Sequence, residues 1–338
     1  MVGTCASTRR GRRSAVLSLA SVAMLTLAAC GGGSDDGAAP AASGGLTQLT
    51  VGVTPIIDVA PLYLATQEGF FEKHGLKVET QLAAGGAAIV PAVLSQANQF
   101  GFSNNVSLIS AASRDVPVKI IVPGVSISND TTSGAGGDTG YCEVIVPGDS
   151  DIKDAEGLVG KNVAVNSLNN IGDVTIRAAL QDQGVDPSGV KFSEIAFPDM
   201  VTALETGRID AAWECEPFVT TLVKGGSRGV LNNYAATDPN LSVASYFTSA
   251  AYAQAHPDIV KAFSEAMTEG LAFASANPEK ARAVVSQYTK IDPNLQLGLP
   301  EWSSEFNIPS IQRLAELSKR YGVAEGDVDV DELVLEQG

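Results

Sequence analysis

The chain has little histidine: among its 338 residues, His74 and His256 are the only two. Nucleophilic catalysis needs a base within hydrogen-bond reach, and histidine supplies it most often. His74 lies at a predicted helix end and His256 at a predicted helix start before Pro257, so both are expected to be structural or solvated. Neither lies at metal-ligand spacing from the cysteines. The sequence therefore argues against a hydrolase, and we expect no enzyme activity, no metal and no cofactor.

Basic residues are also scarce, with 22 lysines and arginines against 38 acidic residues and a formal net charge of −16. Proteins bind nucleic acid largely by neutralising phosphates with lysine and arginine, so nucleic acid is a poor partner for this chain. The phosphate-loop motif G-x-x-x-x-G-K-[ST] is absent as well. Nucleotide hydrolysis accordingly has no support in the sequence.

Long apolar runs are confined to the N-terminus, where four arginines between positions 9 and 13 precede an apolar stretch at 15–27. This order is typical of an export signal, and the stretch is too short for a spanning helix. It ends in Leu-Ala-Ala-Cys at 27–30, which resembles the lipobox of bacterial lipoproteins. The resemblance implies a signal peptide at 1–29 and lipidation of Cys30, with the protein anchored by lipid on the extracytoplasmic face of the cell membrane. A chance cysteine near a signal peptidase site is the alternative.

Four cysteines are present, and only Cys142 and Cys215 lie in the body of the chain. In an oxidising compartment, two such cysteines suggest a disulfide. Two buried free thiols remain the alternative, because the sequence does not show whether the Cα atoms approach to bonding distance.

Residues 30–45 are rich in glycine, alanine, serine and aspartate, and we interpret them as the lipidated cysteine and a flexible linker. From Leu46 onward, short runs rich in valine and isoleucine alternate with helix-length segments, which favours an α/β fold with mainly parallel sheets. Strands are predicted at 48–53, 76–81, 99–103, 118–122, 143–146, 162–166, 190–196, 211–213 and 245–248. Helices are predicted at 60–67, 85–96, 106–113, 173–183, 200–206, 256–276, 279–288 and 308–321, with a polar loop at 129–140.

Residues 60–78 carry the pattern A-x-x-x-G-F-F-x-x-x-G-L-x-V, which closely resembles the nitrate/sulfonate/taurine-type solute-binding proteins of bacterial ABC importers. Segments 158–165, 203–212 and 256–263 agree with the same family. The resemblance implies a type II periplasmic-binding-protein fold, in which two α/β lobes are joined by two crossovers around a ligand cleft. It places lobe 1 at 46–141 plus 243–338 and lobe 2 at 142–242.

Ligands of open parallel sheets bind beyond the carboxyl ends of the strands. This rule selects positions after five of the predicted strands as ligand-binding candidates. They are Thr54, Pro55, Ile56, Asp58, Gly85, Gly86, Ser103, Asn104, Asn105, Asn166, Ser167, Asn169, Asn170, Trp213, Glu214 and Glu216.

Several candidates have a plain structural interpretation as well. The asparagines and serines are good helix N-caps, and the glycine pair can be a flexible turn. Glu216 can accept hydrogen bonds from an amine or ring N–H, or can serve as a helix-start acid before Pro217. Trp213 can be a stacking wall or part of the core.

None of these candidate loops contains lysine or arginine. A sulfonate or carboxylate clamp usually uses such cations, so the ligand is neutral or zwitterionic, or backbone N–H groups and hydroxyls hold its anion. We favour a small organic ligand with an aromatic or amine part over inorganic nitrate, although the resemblance also admits sulfonates. The expected protein is a monomeric receptor that delivers its ligand to an ABC permease with its ATPase. A same-fold enzyme of pyrimidine synthesis and a tethered sensor are the alternatives.

Overall fold

The structure is a computed structural model that describes residues 45–127 and 140–335. The predicted signal peptide, Cys30, nearly all of the predicted linker and residues 129–139 of the predicted polar loop lie outside the described residues. The strands, in chain order, are β1 Thr47–Val53, β2 Leu76–Leu82, β3 Phe100–Asn104, β4 Val118–Ser126, β5 Cys142–Val146, β6 Asn162–Val165, β7 Lys191–Glu194, β8 Ala211–Cys215, β9 Arg228–Leu231 and β10 Ser242–Ser249.

These strands form two five-stranded sheets. One has the order β2-β1-β3-β10-β4 and defines what we call lobe 1, and the other has the order β7-β6-β8-β5-β9 and defines lobe 2. The chain therefore passes from lobe 1 to lobe 2 between β4 and β5, and returns between β9 and β10. These two passages are the crossovers that the family resemblance implies.

Each sheet contains one reversed strand, β10 in lobe 1 and β5 in lobe 2. Each reversed strand is the first that the chain forms after it crosses between the lobes. The chain leaves each lobe at the carboxyl end of a parallel strand. The reversed strand of the next lobe therefore begins at the edge where the parallel strands of that lobe end. The crossovers and the carboxyl ends of the parallel strands consequently lie at the same edge.

The helices are α1 Ala60–Gln67, α2 Phe70–Lys73, α3 Gly86–Leu94, α4 Asn105–Ala112, α5 Ile171–Asp182, α6 Phe197–Glu205, α7 Phe218–Lys224, α8 Asn233–Thr237, α9 Ala250–Ala255, α10 Pro257–Ala276, α11 Pro278–Val284, α12 Ser286–Thr289, α13 Ile308–Arg320 and α14 Val330–Leu333. A short 3-10 helix at Ile57–Val59 precedes α1. Within 45–127 and 140–335, no helix has both the length and the apolarity that a membrane span requires.

The core of lobe 1 shows why the 60–78 pattern folds as it does. Phe71 at α2 is fully buried and stacks on Phe263 of α10, with ring centroids 5.6 Å apart. Gly75 has a φ of 75°, a left-handed conformation that glycine adopts without strain. Leu76 and Val78 then point inward from β2. The Phe71–Phe263 contact and the turn at Gly75 therefore hold α2 against the sheet.

Several predicted elements of lobe 2 differ from the structure, and three of the differences have a local cause. Strand β8 continues to Cys215, although Glu214 suggested a loop after Trp213. Strand β9 was missed, because Gly225, Gly226 and Gly229 around and within it weaken the strand pattern. Helix α5 begins at Ile171 rather than Asp173, because Asn170 and Asp173 form a capping box.

Candidate functional site

A cavity lies between the two sheets, at the carboxyl ends of their parallel strands. The volume open to the centre of a water molecule is about 30 Å³. This space is enough for a few water-sized groups. The described residues that line it are Thr54, Ile56, Asp58, Gly85, Gly86, Phe102, Ser103, Asn104, Asn166, Ile171, Phe197, Trp213, Cys215, Tyr234, Val243 and Ala244.

The topology rule thus selects part of this lining. Nine of the predicted residues contribute to the cavity wall: Thr54, Ile56, Asp58, Gly85, Gly86, Ser103, Asn104, Asn166 and Trp213. The other seven, Pro55, Asn105, Ser167, Asn169, Asn170, Glu214 and Glu216, are absent from it. The sequence argument also missed most of the apolar part of the wall, namely Phe102, Phe197, Tyr234, Val243 and Ala244. Ile171 and Cys215 lie within the strand-end segments that the rule selected, 166–171 and 214–216. Phe102 lies in the middle of β3 and Phe197 at the start of α6.

Asp58 is the acid of the cavity. Asp58 is 3% exposed, and its Oδ1 atom has no hydrogen-bond partner among the described residues. Burial raises the pKa of this carboxyl from 3.8 to about 7, and a hydrogen bond from its own backbone N–H opposes part of that rise. The Trp302 indole donates to the Asp58 carbonyl at 3.3 Å and helps to fix the short helix that carries this residue. Asp58 is therefore held in place with an unused acceptor.

Trp213 supplies an aromatic wall with an unused donor. It is 2% exposed, and its Nε1–H has no acceptor in the described part of the chain. Its ring lies 5.5 Å from the Phe197 ring and 5.9 Å from the Tyr234 ring, centroid to centroid. A Cβ on Gly172 would lie 2.5 Å from the Trp213 ring, so α5 packs directly against the indole. Trp213 is consequently both core and cavity wall.

Gly85 and Gly86 bring the start of α3 close to the opposite wall. A Cβ on Gly85 would lie 2.6 Å from Asn166 Nδ2, and one on Gly86 would lie 2.1 Å from Ser103 Oγ. Asn166 of lobe 2 donates from Nδ2 to the Ala84 carbonyl of lobe 1 at 3.0 Å. The two lobes are therefore joined by a hydrogen bond beside the cavity, and glycine allows this close approach.

The predicted asparagines divide into caps and internal supports. Asn104 accepts from the Ser107 N–H at 2.9 Å and caps α4, while it also lines the cavity. Asn170 caps α5. Asn105 is fully buried, where it donates to the Ser242 carbonyl at 2.8 Å and accepts from Ser245 Oγ at 2.9 Å. Asn105 thus joins α4 to β10 rather than facing the cavity.

Glu214 and Glu216 are buried outside the cavity lining. Glu214 lies on β8 between Trp213 and Cys215, which do line the cavity, and Glu216 follows the strand. Glu214 pairs with Glu143 of β5 across the strands. Burial raises the pKa of Glu143 from 4.5 to about 8, with a smaller contribution from the Glu216 charge. Burial also raises the pKa of Glu214 well above 4.5, and neither of its carboxylate oxygens has a partner among the described residues.

Glu216 connects the two lobes. Its carboxylate accepts from the Thr220 N–H and hydroxyl and from the Gly298 N–H, and its carbonyl accepts from the Ile57 N–H at 2.9 Å. Burial raises the pKa of this carboxyl to about 7 despite these donors. The Glu216-Pro217 bond is cis. Glu216 therefore lies at the crossover edge, outside the cavity lining, with donors from both lobes on its carboxylate and its carbonyl.

Cys142 and Cys215 lie directly opposite each other on β5 and β8, and the structure links them by a disulfide. The bond joins the crossover strand of lobe 2 to the strand that carries Trp213. In the described ranges, no group of three or more histidine, cysteine or acidic side chains is arranged to hold a metal ion.

Comparisons with known proteins agree with this architecture. The family model described as "NMT1/THI5 like" matches residues 56–281. The taurine-binding periplasmic protein of Escherichia coli (strain K12) is 28% identical over 273 residues, which cover 79% of this chain and 72% of the relative.

Solved structures show the same fold at lower sequence identity. The alkanesulfonate-binding protein SsuA from Xanthomonas axonopodis pv. citri, bound to MOPS, superposes with a TM-score of 0.72 and 15% identity, covering 87% of this chain and all of the other. The periplasmic nitrate-binding protein NrtA from Synechocystis PCC 6803 has a TM-score of 0.66 and 17% identity, with 86% of each chain covered. The predicted periplasmic-binding-protein fold is thereby confirmed. The chain belongs to the NMT1/THI5 like family.

Proposed function

We propose that the protein is an extracytoplasmic, lipid-anchored solute-binding protein that captures a small organic ligand and delivers it to an ABC permease. The observation that carries this proposal is the cavity whose wall is shared by both lobes. A ligand enclosed there can enter and leave only when the lobes move apart, which is the hinge motion of this class of receptor.

The relatives support the same function. One is a taurine-binding periplasmic protein and another is an alkanesulfonate-binding protein. The lining of this cavity contains hydroxyl, amide and carboxyl groups together with aromatic rings, which suits a small organic solute better than a bare inorganic ion. Sulfonates, amines, aromatic compounds and pyrimidine-like compounds are the ligand classes to test.

The lipid anchor is part of the proposal. Tethering a receptor beside its permease raises its effective concentration there. We expect the full chain to appear in the membrane fraction with a lipid-modified Cys30, and the Cys30→Ser variant to lose that modification. Mass spectrometry of the N-terminal peptide measures this directly. An unmodified Cys30 in the membrane fraction would contradict the anchor and leave the binding function untouched.

Thermal-shift measurements with the full chain, purified in mild detergent, test the binding function. The panel contains sulfonates, nitrate, pyrimidines, aromatic acids and amines. A ligand that binds only the native state stabilises it by about 2.7 kcal/mol at a hundredfold excess over Kd. We expect at least one organic compound to raise Tm and to remain unchanged after incubation. Turnover of a compound that gives no stable complex would favour the same-fold enzyme and overturn the receptor.

A further inference from the structure

The described lining of the cavity contains a carboxylate but no basic side chain to pair with it. Asp58 is the one carboxylic acid among the described lining residues, and that lining contains no lysine, arginine or histidine. Its Oδ1 atom is buried without a hydrogen-bond partner in the described part of the chain. A buried carboxylate oxygen without a partner is costly, so a group that supplies the missing donor would be bound favourably.

The surroundings of Asp58 suit a positively charged nitrogen. Phe102, Phe197, Trp213 and Tyr234 line the same cavity. The faces of aromatic rings attract cations, most strongly where water is excluded. An ammonium group can also donate charge-assisted hydrogen bonds to a carboxylate. The carboxylate and the rings therefore favour the same chemical group.

The cavity also has donors for an acidic group. The Trp213 Nε1–H has no acceptor within the described residues. Helix α3 begins in the cavity wall at Gly86, and its N-cap residue Gly85 has no side chain with which to satisfy the first N–H groups. Unsatisfied N–H groups and the positive end of the helix dipole favour an anion. One buried acceptor and a separate set of donors therefore share one small space.

We propose that Asp58 forms the cation subsite of the cleft and that the ligand is a small zwitterion, with a protonated amine at Asp58 and an acidic group at the Trp213 indole and the start of α3. This inference rests on the proposed binding function and specifies the ligand class of that site.

Glu214 and Glu216 do not compete for this role. Both are outside the cavity lining, and the Glu216 carboxylate already accepts from Thr220 and Gly298. The amine acceptor is thus assigned to Asp58, in the short 3-10 helix that follows β1.

Two matched pairs of probes isolate the amine. Taurine is compared with isethionate, and β-alanine with 3-hydroxypropionate, because each pair keeps the acidic group and exchanges the amine for a hydroxyl. Calorimetric titration of the full chain should show at least about tenfold tighter binding of the amine in one or both pairs, which corresponds to about 1.4 kcal/mol.

The Asp58→Asn variant keeps the size of the side chain and removes its charge. We expect it to fold, because it relieves the cost of a buried carboxylate, and to lose the preference for the amine while retaining its affinity for the hydroxyl analogue. Asp199→Asn is the matched control, since Asp199 is exposed on α6 and lies outside the cavity lining. It should keep the wild-type preference.

Equal affinity for the two members of both pairs, or a preference that survives Asp58→Asn, overturns the cation subsite and leaves the binding function standing. No binding of any of the four probes also overturns the zwitterion. In that case the wider thermal-shift panel decides independently whether the protein binds a solute.

Discussion

Buried carboxyl groups are the most unusual residues of this protein. Burial raises the pKa of Asp58 and Glu216 to about 7 and that of Glu143 to about 8. The unfolded chain would titrate these groups near 3.8 to 4.5. Folding therefore favours their protonated forms, and their ionisation at higher pH opposes the folded state.

The sign of the pH dependence follows from these directions. Because the folded-state pKa values lie above the unfolded ones, the stabilising contribution is complete below pH 4 and is lost as pH rises through 7 to 8. We expect the free energy of unfolding without ligand to fall by several kcal/mol between pH 5 and pH 8.5. Urea unfolding at the two pH values measures it.

A pair of variants assigns the effect. Glu143→Gln removes one of the titrating groups and should make the pH dependence smaller. Glu316→Gln changes an exposed glutamate of α13 and should leave it unchanged. A protein more stable at pH 8.5 than at pH 5 would show that these carboxyls ionise freely in the folded state.

Gly86 tests the close approach at the cavity. A Cβ there would lie 2.1 Å from Ser103 Oγ and 3.0 Å from Ser107 Cβ, so Gly86→Ala must displace the start of α3. We expect about 1–3 kcal/mol of destabilisation from this overpacking and at least about tenfold weaker binding of the thermal-shift hit. Gly326→Ala is the control, because nothing lies within 4 Å of the added carbon. Unchanged affinity in Gly86→Ala would show that the start of α3 does not contact the ligand.

Strands β5 and β8 form the central pair of lobe 2, and the disulfide between Cys142 and Cys215 fixes their register. The two cysteines are 73 residues apart in sequence. A bond closing a loop of that length stabilises the folded state by about 4 kcal/mol in the chain-entropy model. We expect the Cys142→Ser, Cys215→Ser double variant to unfold at correspondingly lower urea, and thiol titration of the oxidised, denatured wild type to show no free thiol at these two positions. Two reactive thiols there would favour the free-cysteine alternative.

Most regular elements could be predicted from the sequence because burial and periodicity agree in them. Helix α1 begins and ends at the predicted residues, Ala60 and Gln67. Strand β8 could not be bounded, because Glu214 is charged in sequence and fully buried in the fold. Its burial depends on packing against other elements, which no local pattern records.

The candidate site was predictable to the extent that topology determines it. Asp58 and Asn104 follow β1 and end β3, and the strand-end rule found both. Phe197 and Tyr234 were missed because an aromatic residue near a helix start looks the same in a core and in a cavity wall. The hydrogen bonds of Glu216 could not be predicted, because its partners, Thr220 and Gly298, come from elements whose positions only the fold determines.

At the scale of the whole molecule, the two lobes meet through a few specific contacts beside the cavity. Asn166 donates to the Ala84 carbonyl, and Glu216 accepts from Gly298. Such contacts favour a closed arrangement, and the proposed function requires the lobes to separate by hinge motion about the two crossovers. A ligand that contacts both walls would stabilise only the closed state and would shift the population toward it.

Asn166→Ala should therefore weaken ligand binding while both lobes remain folded. We expect a three- to tenfold loss of affinity, on the order of one hydrogen bond, measured by titration with the thermal-shift hit. Asn294→Ala, which removes an exposed asparagine of the C-terminal part of lobe 1, should bind as the wild type does. Equal affinities in the two variants would show that the hydrogen bond between Asn166 and Ala84 does not contribute to ligand binding.

Calorimetric titration followed by recovery of the solute tests the central claim most directly. The full chain is titrated with the compound that gives the largest thermal shift, the complex is denatured, and the released compound is identified by mass spectrometry. A binding protein of this fold predicts one molecule bound per chain and recovered unchanged. A bound compound recovered as a different product, or saturable binding to none of the panel, would contradict it.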